Sequence, residues 1–495
     1  MSQTAAARPT YGNWRLPRRP GVGPLGPAGT VGAFIGLVLV LLASLSSLYA
    51  ALATLVAVLV PILPLAVRTR DGRSLYQLAA VRIGWALRTS SGSHTYVSGP
   101  LSNRPGGRFS PPGLLAGVRV LDGRDARNRP FGVLCHGRDR YTVVLACEPN
   151  GGTLVDPDQV DLWVAAWGQW LARLSLEPGL HGASVVVDTA PDTGVRLAHE
   201  VLPRITPHAP PAARAVMEEL VRQHCSASFS TSTYIALTFG PAGRRRGTRH
   251  MVDDLAVRMK GLVAGLAESG GGAAYPLSAE RIAEVVRVAY DPAAAAQLPE
   301  AATRPGGSGL RWDDAGPSAA VESVSSYAHD SGVSRTWMLT EAPRGTVHSG
   351  VLRSLLEPVP GVRRKRVALL YRPIDQALSA RIVEADRRAA HFTAGAGWGM
   401  VRARASSEVR AAEQVAAEEA AGAGLVEFSM LLTVTVDTVP DLPEAALAVA
   451  GMQAGSRLSM RPADRMQAAA FACSLPVGIL PWEHTLVPFQ LREAL

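Results

Sequence analysis

The chain has 495 residues, which is enough for two or three domains that each bury a core of their own. Its four cysteines lie far apart and form no C-x-x-C pair, which argues against a disulfide framework and against a zinc site. The formal net charge is +9, but nine arginines and a single acid, Asp71, place +8 of it in residues 1–92. The remaining residues are nearly neutral, so direct binding to nucleic acid is not expected.

The first predicted element is an uncharged tract that runs from Pro20 to Val67. One helix of that length would measure about 70 Å, more than twice the ~30 Å hydrocarbon core of a bilayer, so the tract predicts two crossings, over 29–46 and 49–67. Arginines flank it on both sides, and the positive-inside rule then predicts a multi-pass inner-membrane protein with both termini in the cytoplasm. The flanking residues are Arg15, Arg18, Arg19, Arg68, Arg70 and Arg73.

Two features of the tract leave alternatives open. A secretory signal is the rival interpretation, but it would have a short apolar core followed by a cleavage site of small residues. Gly32 and Gly36 form a G-x-x-x-G pair that could let a second helix approach closely. The alternative for that pair is chance, because the whole chain is rich in glycine.

The rest of the chain predicts an α+β body. We expect a basic cytoplasmic segment at 1–28, the transmembrane helical hairpin at 29–67, and a juxtamembrane segment and linker at 68–112. Two α+β subdomains follow, at 113–300 and 301–495, each with the element order ββαβαβα. Hairpins mixed with crossover connections favour split-βαβ (ferredoxin-like) layers, and the repeated order suggests an internal duplication. The clearest predicted elements are strands at 131–135, 141–147, 229–239 and 367–371, and helices at 212–222 and 347–356.

Catalytic motifs are mostly missing. A P-loop needs a lysine that follows a glycine, but Lys260 follows Met259 and Lys365 follows Arg364, so ATP hydrolysis by that route is not expected. The chain also contains no H-E-x-x-H and no G-x-S-x-G sequence.

Two small polar groups complete the search for chemistry. His329, Asp330 and Ser331 are the residue types of a catalytic triad, but neighbours on one turn do not give triad geometry, so a polar hairpin loop is favoured. Asp313 and Asp314 could form a metal pair, although neighbouring carboxylates in a Gly/Pro loop are usually solvated. We therefore predict no catalytic, cofactor-binding or metal-binding residue, no cofactor and no enzyme activity.

Two basic clusters are candidates for contact with a partner or with lipid head groups. The alternative for each is a solvated loop or strand end. The residues are Arg244, Arg245 and Arg246 in a loop, and Arg363, Arg364, Lys365 and Arg366 at the start of a strand.

Several stretches of the chain resemble an actinobacterial family of membrane proteins associated with conjugative transfer. They are YGNWR at 11–15, VDPDQVD at 155–161, VVRVAYDP at 285–292, and the HDSG and EAPRG motifs within 329–345. The family looks like a PrgI-type membrane hairpin joined to the N-terminal, non-ATPase region of the type IV secretion ATPase. Residues 469–478 resemble the stretch that precedes the motor domain of that ATPase. The resemblance implies a separate motor ATPase and other secretion-machine subunits as partners, in an oligomeric complex.

A second resemblance is to the EccE-type component of type VII secretion, which also joins a two-span anchor to a cytoplasmic α+β domain. Both resemblances imply a structural subunit that docks a motor ATPase at the membrane. The contrasting class is a membrane-bound enzyme with a site assembled from distant residues.

Overall fold

The structure is a computed structural model. It describes residues 11–12, 27–67, 69, 73–99, 102, 108–137, 139–151, 154–206, 208–241, 247–302, 306–343, 345–359, 361–396, 400–420 and 422–484. The chain divides into two units. One unit comprises residues 14–94 and 480–495, and the other comprises residues 1–13 and 95–479.

The smaller unit is helical in its described part. Its helices are α1 (Pro27–Ser44), α2 (Leu48–Ala66) and α3 (Leu75–Ser90). α3 lies inside the predicted linker at 68–112, and its start is fixed by a capping box in which Ser74 and Gln77 satisfy each other's backbone N–H groups.

α1 packs closely on α2 at one glycine. A Cβ atom built at Gly36 would lie 2.2 Å from Cγ1 of Val58, whereas one built at Gly32 would meet nothing within 4 Å. Of the G-x-x-x-G pair, Gly36 is therefore the residue whose missing side chain this packing requires.

The predicted transmembrane hairpin at 29–67 is wrong. α1 and α2 begin and end within two residues of the predicted spans, but within the described part of the chain no helix is both long enough and apolar enough to cross a membrane. The 18 residues of α1 rise about 27 Å, less than the ~30 Å hydrocarbon core. The predicted inner-membrane localisation, with both termini in the cytoplasm, rests on this hairpin and is corrected with it.

The larger unit is built on one antiparallel sheet. The strands are β1 (Thr95–Val97), β2 (Val118–Arg124), β3 (Pro130–His136), β4 (Arg140–Glu148), β5 (Leu180–Pro191), β6 (Phe229–Phe239), β7 (Ala273–Pro276), β8 (Ala319–Glu322), β9 (Tyr327–His329), β10 (Gly332–Glu341), β11 (Arg364–Pro373), β12 (Val426–Val436) and β13 (Ser459–Pro462). Their order is β1-β8-β9-β10-β12-β11-β5-β6-β4-β3-β2, while β13 pairs with β10 and β7 pairs with β4.

The sheet has two halves with the same topology. Outward from the contact between β5 and β11, the first half runs β5-β6-β4-β3-β2 and the second runs β11-β12-β10-β9-β8. In the first half, β4 and β5 flank β6 and both are antiparallel to it, so they are parallel to each other with one strand between them. β10 and β11 flank β12 in the same way. Each half therefore contains a split-βαβ arrangement, and the halves form one continuous sheet.

The helices of this unit connect the strands. They are α4 (Pro157–Leu174), α5 (Val195–Val201), α6 (Pro211–Ala227), α7 (Thr248–Val263), α8 (Ala279–Tyr290), α9 (Leu298–Ala302), α10 (Arg353–Leu356), α11 (Gln376–Ala396), α12 (Met400–Ala420), α13 (Leu442–Ser456) and α14 (Gln467–Ser474). In sequence, α5 and α6 connect β5 to β6, and α11 and α12 connect β11 to β12. The predicted helix at 347–356 is reduced to the single turn of α10.

One face of the sheet, called the core face below, is apolar. In the first half, Leu237 of β6 packs in a cluster with Trp170 of α4 and Leu255 of α7. In the second half, Leu432 of β12 packs with Val449 of α13. Burying each such side chain stabilises the fold by about 1.5–3 kcal/mol.

Candidate functional site

The opposite face of the sheet, called the polar face, carries a buried ion group where the halves meet. Asp188 of β5 lies opposite Arg366 of β11 in the antiparallel register. Asp188 is 4% exposed and Arg366 is 1% exposed. Arg364, two residues before Arg366, donates from Nε to both carboxylate oxygens of Asp188, at 2.8 and 3.0 Å. These three residues form the seam ion group.

Charge in the seam ion group is not balanced. Burial alone would raise the pKa of Asp188, but the positive charges of Arg364 and Arg366 outweigh that effect and hold the pKa below its usual range. Two guanidinium groups then share one carboxylate. Nε of Arg366 lies 3.6 Å from Oδ2 of Asp188, and among the described residues Nε and Nη2 of Arg366 have no hydrogen-bond partner. Such N–H groups cost about 1–3 kcal/mol when buried.

Hydroxyl groups pair across neighbouring strands on the same face. The pairs are Thr142 with Thr238 at 2.9 Å, Ser334 with Thr435 at 2.8 Å and Thr336 with Thr433 at 2.9 Å. The first pair joins β4 to β6 and the other two join β10 to β12, which are the equivalent strands of the second half. Each hydroxyl is thereby partnered in a site without water access.

Residues 467–479, called the crossing segment, cover this polar face. Gln467 makes two hydrogen bonds with the backbone of Thr336, accepting at 2.8 Å and donating at 3.4 Å. The Ser474 hydroxyl accepts a hydrogen bond from Thr433 at 2.9 Å. The Gly478 carbonyl accepts one from Thr238 at 3.0 Å.

An aromatic cluster anchors the middle of the crossing segment. The Phe471 ring lies 5.1, 5.4 and 4.9 Å from the rings of Tyr290, Tyr327 and His329. The guanidinium of Arg366 lies over the same ring, 5.4 Å from its centre. Burial lowers the pKa of His329 to about 4, so its ring is neutral at pH 7. Its two nitrogens contact the Tyr290 carbonyl at 2.6 Å and the Ser334 hydroxyl at 2.7 Å.

The three residues with triad chemistry point to different partners. They lie at the turn between β9 and β10. The Ser331 hydroxyl donates to the carboxylate of Asp291 at 2.5 Å, and the Asp330 carboxylate pairs with Arg287 at 3.0 Å. Because neither group contacts the imidazole of His329 in these interactions, the turn does not assemble a nucleophile with its base.

The basic cluster at the start of β11 lies largely inside the fold. Arg364 and Arg366 belong to the seam ion group. Lys365 is 2% exposed and points to the core face, where it donates to the Glu357 carbonyl, and burial lowers its pKa to about 8. Arg363 remains at the surface, paired with Asp437. Three of the four predicted partner contacts are therefore engaged in packing, because the strand alternates between two covered faces.

Most of the other predicted site residues lie outside the described part of the chain. Arg15, Arg18, Arg19, Arg68, Arg70, Arg244, Arg245 and Arg246 lie outside the described residues. Arg73 lies just before α3, and its carbonyl accepts a hydrogen bond from the Thr69 N–H at 2.8 Å. Asp313 pairs with Arg108 at 2.7 Å, and in the described ranges no three His, Cys, Asp or Glu side chains are grouped to hold a metal ion.

One exposed surface differs from these covered sites. α6 presents large apolar side chains to solvent, namely Val216 at 57%, Met217 at 40% and Leu220 at 53% exposure. Beside α5 lies an open cavity of about 510 Å³, whose lining includes Leu202 of that region and Arg222 of α6. Val216, Met217 and Leu220 form the α6 face. The three side chains lie at i, i+1 and i+4 on one side of the helix, and large exposed apolar patches mark interaction sites.

Comparison with known proteins adds one match. Residues 18–77 match a domain of unknown function (DUF8461). No curated protein matches the chain. The matched residues include the tract that forms α1 and α2, and the description of that domain names no activity and no partner.

Sequence reasoning missed the seam ion group and the crossing segment's contacts. Asp188 sits in a β-branched run, VVVDT, and a carboxylate inside such a run is a signal that a buried cation faces it. The polar groups of the seam ion group and of the crossing segment contact one another, and these contacts hold the two halves of the sheet together.

Proposed function

We propose that the chain is a non-catalytic docking subunit of an ATPase-driven secretion or conjugative DNA-transfer machine, and that the α6 face binds a separate motor ATPase. The observation that carries this proposal is the exposure of Val216, Met217 and Leu220 on one side of a helix. Covering them would contribute about 1.5–3 kcal/mol for each large side chain fully buried. The resemblance to conjugation-associated proteins supports the choice of a motor ATPase as the partner.

The placement of the titratable groups supports a role without catalysis. Groups with strongly perturbed pKa values mark active sites when they lie in an open cleft. Here Asp188, His329 and Lys365 have shifted pKa values, yet each is less than 5% exposed and held by neighbours of the fold. Burial accounts for the lowered pKa values of His329 and Lys365, and the charges of Arg364 and Arg366 account for the lowered pKa of Asp188.

Co-purification tests the proposal. The full chain is expressed together with the motor ATPase encoded beside its gene, and the complex is isolated through a tag on the chain. We expect the ATPase to co-purify, and we expect Leu220→Glu to weaken binding by about tenfold or more, because it buries a charge at the interface.

A matched control uses another exposed leucine. Leu447 of α13 is 75% exposed, so Leu447→Glu introduces the same charge away from the α6 face and should leave binding unchanged. Equal binding by the wild type and the Leu220→Glu variant would contradict the α6 face as the docking surface. Steady ATP turnover by the chain alone would contradict a non-catalytic role.

A further inference from the structure

The crossing segment touches both halves of the sheet. At its start, Gln467 binds the backbone of Thr336 in the second half. At its far end, the carbonyl of Gly478 accepts a hydrogen bond from Thr238 in the first half, at 3.0 Å. Between these points, Nη1 of Arg366 reaches the Ser474 hydroxyl at 3.5 Å, at the seam.

Only glycine fits at position 478, where the crossing segment contacts the first half. Gly478 has a φ of +72°, which side chains other than glycine rarely adopt. A Cβ atom there would lie 2.3 Å from Oγ1 of Thr142 and 2.4 Å from Oγ1 of Thr238. Any side chain would therefore lift the segment away from the two hydroxyls, which lie on neighbouring strands of the first half.

Besides this segment, other features join the halves in the described chain, among them the pairing of β5 with β11 and α8, which packs on β3 of the first half and pairs through Arg287 with Asp330 of the second. The pairing runs from Lys365 opposite Thr189 to Tyr371 opposite Ala183. Asp188 and Arg366 of the seam ion group lie in it, and Nε and Nη2 of Arg366 make no hydrogen bond to a described residue. Those buried groups weaken the pairing of β5 with β11. The crossing segment adds contacts to the strands on both sides of that pairing.

We infer that the crossing segment is a clasp: it couples the two halves of the sheet so that they open as one cooperative unit. The coupling depends on the hydrogen bonds at its two ends and on Phe471, which is held between Tyr290, Tyr327 and His329 at the centre. When the hydrogen bond between Thr238 and the Gly478 carbonyl is lost, the first half opens without the second. Cooperative units of this kind correspond to separately measurable opening reactions.

Hydrogen exchange of the full chain, measured by mass spectrometry, tests the clasp with Gly478→Ala. The matched control is Gly137→Ala, because Gly137 has a φ of +60° and nothing within 4 Å of a built Cβ. The control therefore carries the same kind of backbone strain without the clash. We expect Gly478→Ala to speed exchange in peptides of β4 and β6 by about tenfold over the control, with β10 and β12 unchanged.

Two results would overturn the clasp. One is an equal rise of exchange in β6 and β12, which would mean that the other contacts between the halves couple them without the crossing segment. The other is a Gly478→Ala profile identical to that of Gly137→Ala.

A measurement on the wild type serves if Gly478→Ala does not fold. Exchange is followed at increasing denaturant below the unfolding midpoint, for the most protected amides of β6, β12 and the crossing segment. If the segment couples the halves, the most protected amides of β6, β12 and the crossing segment should all have the same free energy of opening. Separate values for β6 and β12 in the wild type would refute the coupling.

Discussion

The two faces of the sheet reach stability in different ways. The core face is filled by side chains such as Leu237 and Leu432, whose burial needs shape but no particular direction. The polar face is filled by hydroxyls, two arginines and a neutral histidine, each of which needs a partner at the correct angle. The stability of the protein should therefore be more sensitive to the loss of a single polar atom on the polar face, and to a change of side-chain volume on the core face.

Removing the carboxylate of the seam ion group should have the largest effect. Asp188→Ala leaves Arg364 and Arg366 buried without a counter-charge, and we expect the free energy of unfolding to fall by about 3–5 kcal/mol. Denaturant unfolding measures it. Asp437→Ala is the control, because Asp437 pairs with Arg363 at the surface with 57% of its side chain exposed, and exposed pairs contribute about 0–1 kcal/mol. Equal losses in the two variants would contradict the account of the seam.

Acid should weaken the polar face through His329. Its pKa is about 4 in the folded protein, against an ordinary 6.5, so between these values the unfolded chain binds a proton that the folded chain does not. Stability therefore falls as the pH drops from 6.5 to 4, by about 3 kcal/mol in total. Unfolding at a series of pH values should show this slope in the wild type and in His348→Phe, an exposed control, but a smaller slope in His329→Phe. A His329→Phe slope equal to that of the wild type would argue against the neutral buried imidazole.

A change that keeps shape and removes one hydroxyl should have the smallest effect. Thr238→Val deprives the Gly478 carbonyl of its donor and Thr142 of one of its two side-chain partners, the other being His136, and we expect a loss of about 1–3 kcal/mol. The same measurement on Thr231→Val, which alters a longer 3.5 Å contact nearer the start of β6, should give a smaller loss. If Thr238→Val is neutral, the polar face behaves like the core face and the comparison fails.

Much of the strand pattern could be read from the sequence. The strand predicted at 229–239 is β6 residue for residue, because the run is rich in Thr, Phe, Tyr and Ile and stops at Gly240-Pro241. β2 was missed because its run VRVLDGR carries Asp122 and Gly123, both of which disfavour strands. α14 was missed because QAAAFACS is short and has no helical stripe, so tertiary contacts decide its conformation.

The site could not be read from local sequence. Arg364 and Arg366 looked like surface charges because four basic residues stand together, and nothing near them in sequence supplies an acid. The acid is Asp188, 176 residues from Arg364, and only the pairing of β5 with β11 brings it opposite. The membrane prediction failed for a different reason: it rested on the uncharged tract and its flanking arginines, whereas no described helix is both long enough and apolar enough to cross a membrane.

The most direct test of the docking role compares the exposed α6 face with the covered polar face in one measurement. Hydrogen exchange is recorded for the chain alone and for the chain saturated with the motor ATPase from its gene neighbourhood. The account predicts that peptides of α6 exchange more slowly in the complex, while peptides of β10 and β12 under the crossing segment are unchanged. Protection elsewhere with no change at α6, or no protection at all, would contradict it.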